Sequence, residues 1–73
     1  MADHSIESEV TGSVWKVLKQ EGDSVAADET IMILESMKME IPVDAPVAGV
    51  VSQILVEPEE QVEEDQVLAV VSD

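Results

Sequence analysis

Residues 11–36 read TGSVWKVLKQEGDSVAADETIMILES, and residues 48–73 read AGVVSQILVEPEEQVEEDQVLAVVSD. The two segments align without a gap when the chain is shifted by 37 residues. A unit of this size carries too little apolar surface to fold alone. The repeat therefore predicts two similar halves that pack against each other. Identical pairs include Gly12 with Gly49, Val14 with Val51, Leu18 with Leu55, Val25 with Val62, and Asp28 with Asp65.

Both halves have the composition of β-strands. Val and Ile supply 18 of the 73 residues, and side chains branched at Cβ favour strands over helices. The apolar runs have strand length, are separated by Gly, Pro and acidic turns, and show no sustained helical periodicity. Strands are predicted at Ser13–Lys19, Thr30–Leu34, Val50–Val56 and Val67–Val71.

We therefore predict an all-β fold, a flattened sandwich or barrel with two quasi-two-fold related halves at residues 11–36 and 48–73. Residues 1–73 are expected to form a single domain, with a frayed start at residues 1–9. Trp15 is the only aromatic residue, and we expect it to be buried against the core.

The charge of the chain excludes several classes of partner. The chain contains seventeen acidic residues, three lysines and no arginine, which gives a net charge of −14. Nucleic acid and anionic lipid would be repelled. Large aliphatic residues make up 22 of the 73 residues, or 30%. Chains that remain disordered have less than about 20% of such residues. No signal peptide or apolar span is visible, so the sequence predicts a cytoplasmic protein with no membrane contact.

The chain offers no catalytic or metal-binding constellation. It has no cysteine and a single histidine, His4. This leaves no thiol nucleophile and no Ser/His/Asp grouping. Six acids fall within Glu57–Asp65, without the alternating Asp/Asn and the glycine of a calcium loop, and are interpreted as a solvated turn. A chain this short has little room for both a core and a cleft, so we predict a non-catalytic protein.

Lys38 occupies a special position in the repeat. The segment Met37-Lys38-Met39-Glu40 connects the two halves, and the equivalent place in the second half is the C-terminus. Lys38 should therefore lie on a tight, exposed turn at the opposite end from the termini. If that turn is extended, Met37 and Met39 point the same way and frame the lysine. The alternatives are an ordinary solvated lysine and two flexible methionines that fill gaps.

The residues around Lys38 resemble a known motif. The segment ESMKMEIP at 35–42 is similar to the attachment hairpin of biotinyl domains, in the biotin/lipoyl attachment family. The downstream APVAG at 45–49 resembles the Ala-Pro-x-x-Gly that follows the hairpin in that family. The resemblance runs from about Gly12 to Val71 and includes the internal repeat.

This resemblance implies that a biotin protein ligase joins biotin to Lys38 through an amide. Met37 and Met39 would then be flanking recognition residues, which are typical of biotinyl domains, whereas lipoyl domains more often have Asp-Lys-Ala. Glu35 and Glu40 would belong to the ligase-facing surface, with plain solvated charges as the alternative.

The function implied is that of a biotin carboxyl carrier. It would take carboxybiotin on Lys38 between the biotin carboxylase and carboxyltransferase subunits of an acyl-CoA carboxylase-type enzyme. Two alternatives stay open: a lipoyl carrier on the same fold, with lipoate on Lys38, and an unmodified acidic β domain that only binds a partner.

Three turn residues depart from the pattern of the family. Asp28 and Asp65 stand where biotinyl domains usually have glycine, and Glu59 replaces the glycine that Gly22 supplies in the first half. Because residues other than glycine disfavour left-handed backbone, we expect these turns to differ locally.

Overall fold

The structure, a computed structural model, describes residues 2–73, and these form eight β-strands and no helix. None of its elements is a helix that could cross a membrane. The strands are β1 (Asp3–Glu7), β2 (Gly12–Val17), β3 (Ser24–Val25), β4 (Thr30–Ser36), β5 (Met39–Asp44), β6 (Gly49–Ile54), β7 (Gln61–Val62) and β8 (Val67–Ser72).

The strands form two four-stranded antiparallel sheets, in the orders β1-β8-β6-β3 and β5-β4-β2-β7. Each sheet takes its two-residue edge strand from the other half of the repeat. The short β3 of the first half pairs with β6, and the short β7 of the second half pairs with β2. This exchange interlocks the halves and confirms the predicted all-β sandwich with quasi-two-fold symmetry.

The repeat extends to the irregularities of the sheets. Ile31 has no partner on β5, and Leu68, 37 residues later, has none on β1. The bulges bring two consecutive side chains onto the core face, so that Ile31 and Met32 are both fully buried, as are Leu68 and Ala69. This explains why β4 and β8 are continuous apolar runs in the sequence.

The turns are also equivalent in the two halves. The backbone is left-handed at Gly22 (φ 95°) and Glu59 (φ 73°), and at Asp28 (φ 68°) and Asp65 (φ 71°). The N–H of Asp28 donates to the carbonyl of Ala45 at 2.8 Å, and the N–H of Asp65 donates to that of Ser8 at 2.8 Å. The three positions without glycine, Asp28, Glu59 and Asp65, therefore keep left-handed backbone, and the turns have the same conformation in both halves.

The start of the chain is more ordered than expected. Residues Asp3–Glu7 pair with β8, Ile6 is buried in the core, and the N–H of Ser8 donates to Gln66 at 2.8 Å. The expectation of a frayed start is wrong for this segment, because β8 would otherwise be an unpaired edge. Met1 lies outside the described residues.

Trp15 is not buried, contrary to expectation. It lies in a β-bulge of β2, where Trp15 and Lys16 together face one residue of β4. The bulge directs both side chains away from the core, and 42% of Trp15 is exposed. Its neighbours Val14 and Val17 face inward instead.

The hairpin of β4 and β5 extends away from the chain termini along a molecule measuring 35 × 18 × 18 Å. Strands of this length span about 20 Å at roughly 3.3 Å per residue. After β5, residues 45–48 lead to Gly49, which lies against the backbone of Ser72. There the N–H of Ala2 donates to the Asp73 carboxylate at 2.8 Å. The tip of the hairpin and the two termini are therefore at opposite ends.

Candidate functional site: the hairpin of Lys38

Lys38 lies in a two-residue turn between β4 and β5. The last cross-strand pair is Ser36 with Met39, which leaves Met37 and Lys38 as the loop. Both have positive φ, 54° at Met37 and 66° at Lys38. This is the pattern of a type I′ turn, whose twist matches that of the flanking strands. A side chain in this conformation costs about 1–2 kcal/mol, so the pairing of β4 with β5 must hold the turn in place.

The base of the hairpin is anchored to the neighbouring strand. The hydroxyl of Ser36 donates to the carbonyl of Thr11 at 2.9 Å. Gly12 lies so close to the carbonyl of Glu35 that a Cβ at Gly12 would overlap it. Sequence reasoning singled out neither Thr11 nor Ser36 as a support, and it treated Gly12 only as a repeat position. The Gly12–Gly49 identity was the one signal that this position requires a close approach.

Among residues 2–73, Lys38 is the lysine for which no intramolecular partner is found. Within residues 2–73 its ammonium makes no hydrogen bond and no ion pair, and the side chain is exposed. Lys19 instead lies 2.6 Å from the carboxylate of Glu29. The hydrogen bond between them raises the pKa of Lys19 and lowers that of Glu29. Lys16 stacks its ammonium 4.6 Å from the centre of the Trp15 ring. A free primary amine at a hairpin tip suits a lysine that an enzyme acylates.

The two methionines beside Lys38 are exposed. Met37 is 91% exposed and Met39 is 65% exposed, whereas Met32 is fully buried in the core. They do not frame Lys38 as neighbours on an extended segment. Met37 shares the left-handed turn with Lys38, and Met39 is the first residue of β5. The turn is therefore not extended, since two residues with positive φ reverse the chain, and the framing of Lys38 that an extended turn would give is not found.

Glu35 and Glu40 lie directly opposite each other on β4 and β5, one pair below the turn. Both are exposed. Like charges in such a cross-strand pair repel, so the arrangement does not stabilise the hairpin. It places two negative charges beside the base of the turn.

Among residues 2–73, no group of three His, Asp or Glu side chains could hold a metal ion. His4 lies at the opposite end of the molecule, with Nε2 3.0 Å from the Asp73 carboxylate. The hydrogen bond from the N–H of Ala2, together with the smaller effect of the one to His4, lowers the pKa of Asp73. This contact ties β1 to the C-terminus and is remote from Lys38.

Comparison with known proteins places these features in one family. The family model described as biotin-requiring enzyme matches residues 4–71. A biotinylated protein TB7.3 homolog from Mycobacterium leprae is 40% identical over 67 residues, which cover 92% of this chain and 94% of that protein.

Two solved structures have the same fold. The urea carboxylase of Kluyveromyces lactis superposes with a TM-score of 0.93 and 35% identity, over 99% of this chain and 6% of that one. A single-chain, multi-domain long-chain acyl-CoA carboxylase superposes with a TM-score of 0.87 and 29% identity, over 93% of this chain and 7% of that one. The chain belongs to the biotin/lipoyl attachment family.

Proposed function

We propose that this chain is a biotin carboxyl carrier, with biotin joined to the ε-amine of Lys38. The observation that carries the proposal is the position of Lys38. It lies exposed at the tip of a two-residue turn and makes no contact with a carboxylate in the described part of the chain. The family match over residues 4–71 and the biotinylated mycobacterial relative support biotin as the attached group.

The attachment requires little of the carrier beyond presentation of the amine. Nζ of Lys38 forms an amide with the activated carboxyl of biotin, adenylate leaves, and the ammonium loses its protons. No carboxylate of the described residues lies within ion-pair distance of Lys38 to accept these protons, so we expect the ligase to supply the base. The hairpin supplies reach, because the turn projects Lys38 beyond the strands that hold it.

The bound cofactor would supply the carboxyl-transfer chemistry. The catalytic sites would lie on partners, a biotin carboxylase and a carboxyltransferase, while this domain of residues 1–73 carries the tethered group between them at high effective concentration. The similarity to domains of multi-domain carboxylases supports such partners. Of the two acceptors named in those structures, we favour an acyl-CoA, and urea is the alternative. The cytoplasmic location stays a prediction.

The flanking residues favour biotin over lipoate. Met37 and Met39 form the Met-Lys-Met flank of biotinyl domains, and neither has a structural task in the core, since both are exposed. A lipoyl carrier would instead be acylated by lipoate ligase, and an unmodified interaction domain by neither ligase.

The experiment that tests carrier function uses the intact chain in its biotinylated and unmodified forms. Each is incubated with a biotin carboxylase, ATP and radiolabelled bicarbonate, and label on the protein is counted. We expect label on the biotinylated form alone, which passes to acetyl-CoA or urea once the matching carboxyltransferase is added. No label on a fully biotinylated chain would contradict carrier function, and modification by lipoate ligase alone would select the lipoyl alternative.

A further inference from the structure

The outer faces of the two sheets differ at positions that the repeat makes equivalent. On the sheet that holds Lys38, one cross-strand row contains Pro42, Ile33 and Lys16, with Trp15 in the bulge beside it. On the other sheet the corresponding row contains Ser5, Val70 and Gln53, with Ser52 in the bulge. The first row is apolar with one cation, and the second is largely polar and uncharged.

The fold does not need a tryptophan in the bulge. Ser52 occupies the same bulge in the second half, and its hydroxyl donates to the carbonyl of Val70 at 3.1 Å. Trp15 is 42% exposed. Aromatic side chains are the residues most enriched at the centres of protein interfaces. Because the equivalent position in the second half is a serine, the exposed indole is not required for folding, which indicates a role in binding another protein.

The charge around Trp15 is unusual for this chain. The ammonium of Lys16 lies 4.6 Å from the centre of the indole, and no carboxylate comes within ion-pair distance of it in residues 2–73. Two residues nearer the turn, in the next outward-facing row, Glu35 and Glu40 contribute two negative charges. The same sheet thus presents an apolar, cationic row next to an acidic one, in a chain of net charge −14.

This face is close enough to Lys38 to be covered together with it. The row of Ile33 lies two residues from the row of Glu35, and Ile33 precedes Lys38 by five residues, or about 17 Å along the strand at roughly 3.3 Å per residue. An enzyme that takes the tip of the hairpin into its active site must rest on the adjoining surface, and a typical interface covers about 800 Å² on each partner. The molecule is only 18 Å across its short axes, so such an interface extends over both rows.

We propose that Trp15, Lys16, Ile33 and Pro42, the Trp15 patch, form the docking surface for the ligase that acylates Lys38. This proposal rests on the proposed function. The rim of the ligase active site would present an apolar pocket for the indole and an acidic or aromatic group for Lys16. Basic groups would lie opposite Glu35 and Glu40, because the acidic row needs complementary charge.

The repeat supplies matched variants for the test. Trp15→Ser installs the residue that the second half has in the same bulge. Val50→Ser is the control: Val50 is 42% exposed, as Trp15 is, it lies on the other sheet, and its counterpart in the first half is Ser13. Circular dichroism and thermal unfolding establish that both variants fold. Biotinylation of each by biotin protein ligase is then followed at varied carrier concentration.

We expect Trp15→Ser to raise the KM for the carrier about tenfold, which corresponds to about 1.4 kcal/mol, with kcat within twofold of the wild type. Val50→Ser should match the wild type in both constants. An unchanged KM in Trp15→Ser would overturn the patch while leaving the proposed function intact. A wild-type chain that the ligase does not modify would overturn the proposed function and the patch with it.

A binding measurement independent of turnover uses the Lys38→Arg variant labelled with fluorotryptophan. Because Trp15 is the only tryptophan, its fluorine spectrum contains one resonance. We expect that resonance to shift and broaden when ligase is added. A resonance unaffected at ligase concentrations that saturate the carrier would contradict contact at Trp15.

Discussion

Glu59 adopts the left-handed backbone of Gly22, the residue 37 positions earlier: φ is 73° at Glu59 and 95° at Gly22. The N–H of Glu59 donates to the carbonyl of Val14 at 2.7 Å, and the N–H of Gly22 donates to that of Val51 at 2.7 Å. Both bonds join one half of the repeat to the other. The sandwich therefore imposes the turn, even where the residue resists it.

Exchange of these two residue types should change stability in opposite directions. We expect Glu59→Gly to raise the free energy of unfolding by up to about 1 kcal/mol, because a side chain in left-handed backbone costs about 1–2 kcal/mol. Gly22→Ala should lower it by about 1 kcal/mol. A Cβ at Gly22 meets no atom within 4 Å, so only backbone strain is involved.

Urea unfolding measures both changes. Glu64→Gly is the control, since Glu64 lies in an exposed turn and does not have positive φ. This control should be destabilised, because glycine gains entropy in the unfolded chain. Equal destabilisation of Glu59→Gly and Glu64→Gly would show that the strain at Glu59 is not relieved.

Substitution of two equivalent glycines, Gly12 and Gly49, distinguishes an effect on the stability of the domain from an effect on the geometry of the Lys38 turn. A Cβ at Gly12 would overlap the carbonyl of Glu35 below the Lys38 turn, and a Cβ at Gly49 would overlap that of Ser72 at the other end. We expect Gly12→Ala and Gly49→Ala each to destabilise by about 1–3 kcal/mol, as overpacking usually does. Only Gly12→Ala should also slow biotinylation of Lys38.

The measurement is the initial rate of biotinylation at a temperature where unfolding curves show both variants to be folded. Equal rates for the two variants would show that the anchoring of β4 on β2 does not position the lysine.

The flanks of Lys38 should control which ligase acts. Met37→Asp combined with Met39→Ala produces the Asp-Lys-Ala sequence of lipoyl domains. Because both side chains are exposed, we expect an unchanged melting temperature and at least a tenfold loss in kcat/KM with biotin ligase, equivalent to about 1.4 kcal/mol. Met32→Ala, in the core, should instead destabilise by about 2–5 kcal/mol. Undiminished biotinylation of the double variant would remove the methionines from recognition.

The pair of Lys19 and Glu29 predicts a specific pH dependence. The hydrogen bond from Lys19 lowers the pKa of Glu29 below its ordinary value of 4.5. The stabilisation is therefore present above the pKa of the unfolded chain and is lost as pH falls through the folded pKa. The stability difference between the wild type and Glu29→Gln should be constant near neutral pH and shrink below about pH 4.5.

Differences between variants are needed here because protonation of the other carboxylates relieves repulsion in a chain with 17 acids. Lys19→Met removes the other partner of the pair. Its stability difference from the wild type should also shrink as the pH falls into the acid range. The pKa of Lys19 is raised above its ordinary value of 10.5, so the stabilisation by this ion pair is also lost when the pH rises above that value. A difference that persists unchanged to pH 2 would contradict the pairing.

The sequence predicts the central strands better than the edges. The apolar runs in β4 and β8 are recognisable in the sequence because each strand buries two consecutive side chains at its bulge, Ile31 and Met32 in β4 and Leu68 and Ala69 in β8. The edge strands β1 and β5 were missed, since each buries a single side chain, Ile6 and Val43 respectively. One inward residue among polar ones produces no alternation, and Pro42 in β5 is typical of edges or loops.

The position of Lys38 was predictable, whereas its backbone was not. The repeat alone locates Lys38 between the halves on an exposed turn, which the structure confirms. A Met-Lys loop carries none of the Asn-Gly signal by which a left-handed two-residue turn is recognised. The exposure of Trp15 was hidden for a related reason, because a bulge changes which face a residue occupies and leaves no mark in the local sequence.

The most direct test of the account is the intact mass of the purified protein after incubation with biotin ligase, ATP and biotin, followed by peptide mapping. The wild type should gain one biotinyl group, located on Lys38 and not on Lys16 or Lys19, and Lys38→Arg should gain none. Arginine keeps the charge but lacks the nucleophilic amine. No mass increase in the wild type, or an increase that survives in Lys38→Arg, would contradict the assignment of Lys38 as the attachment site.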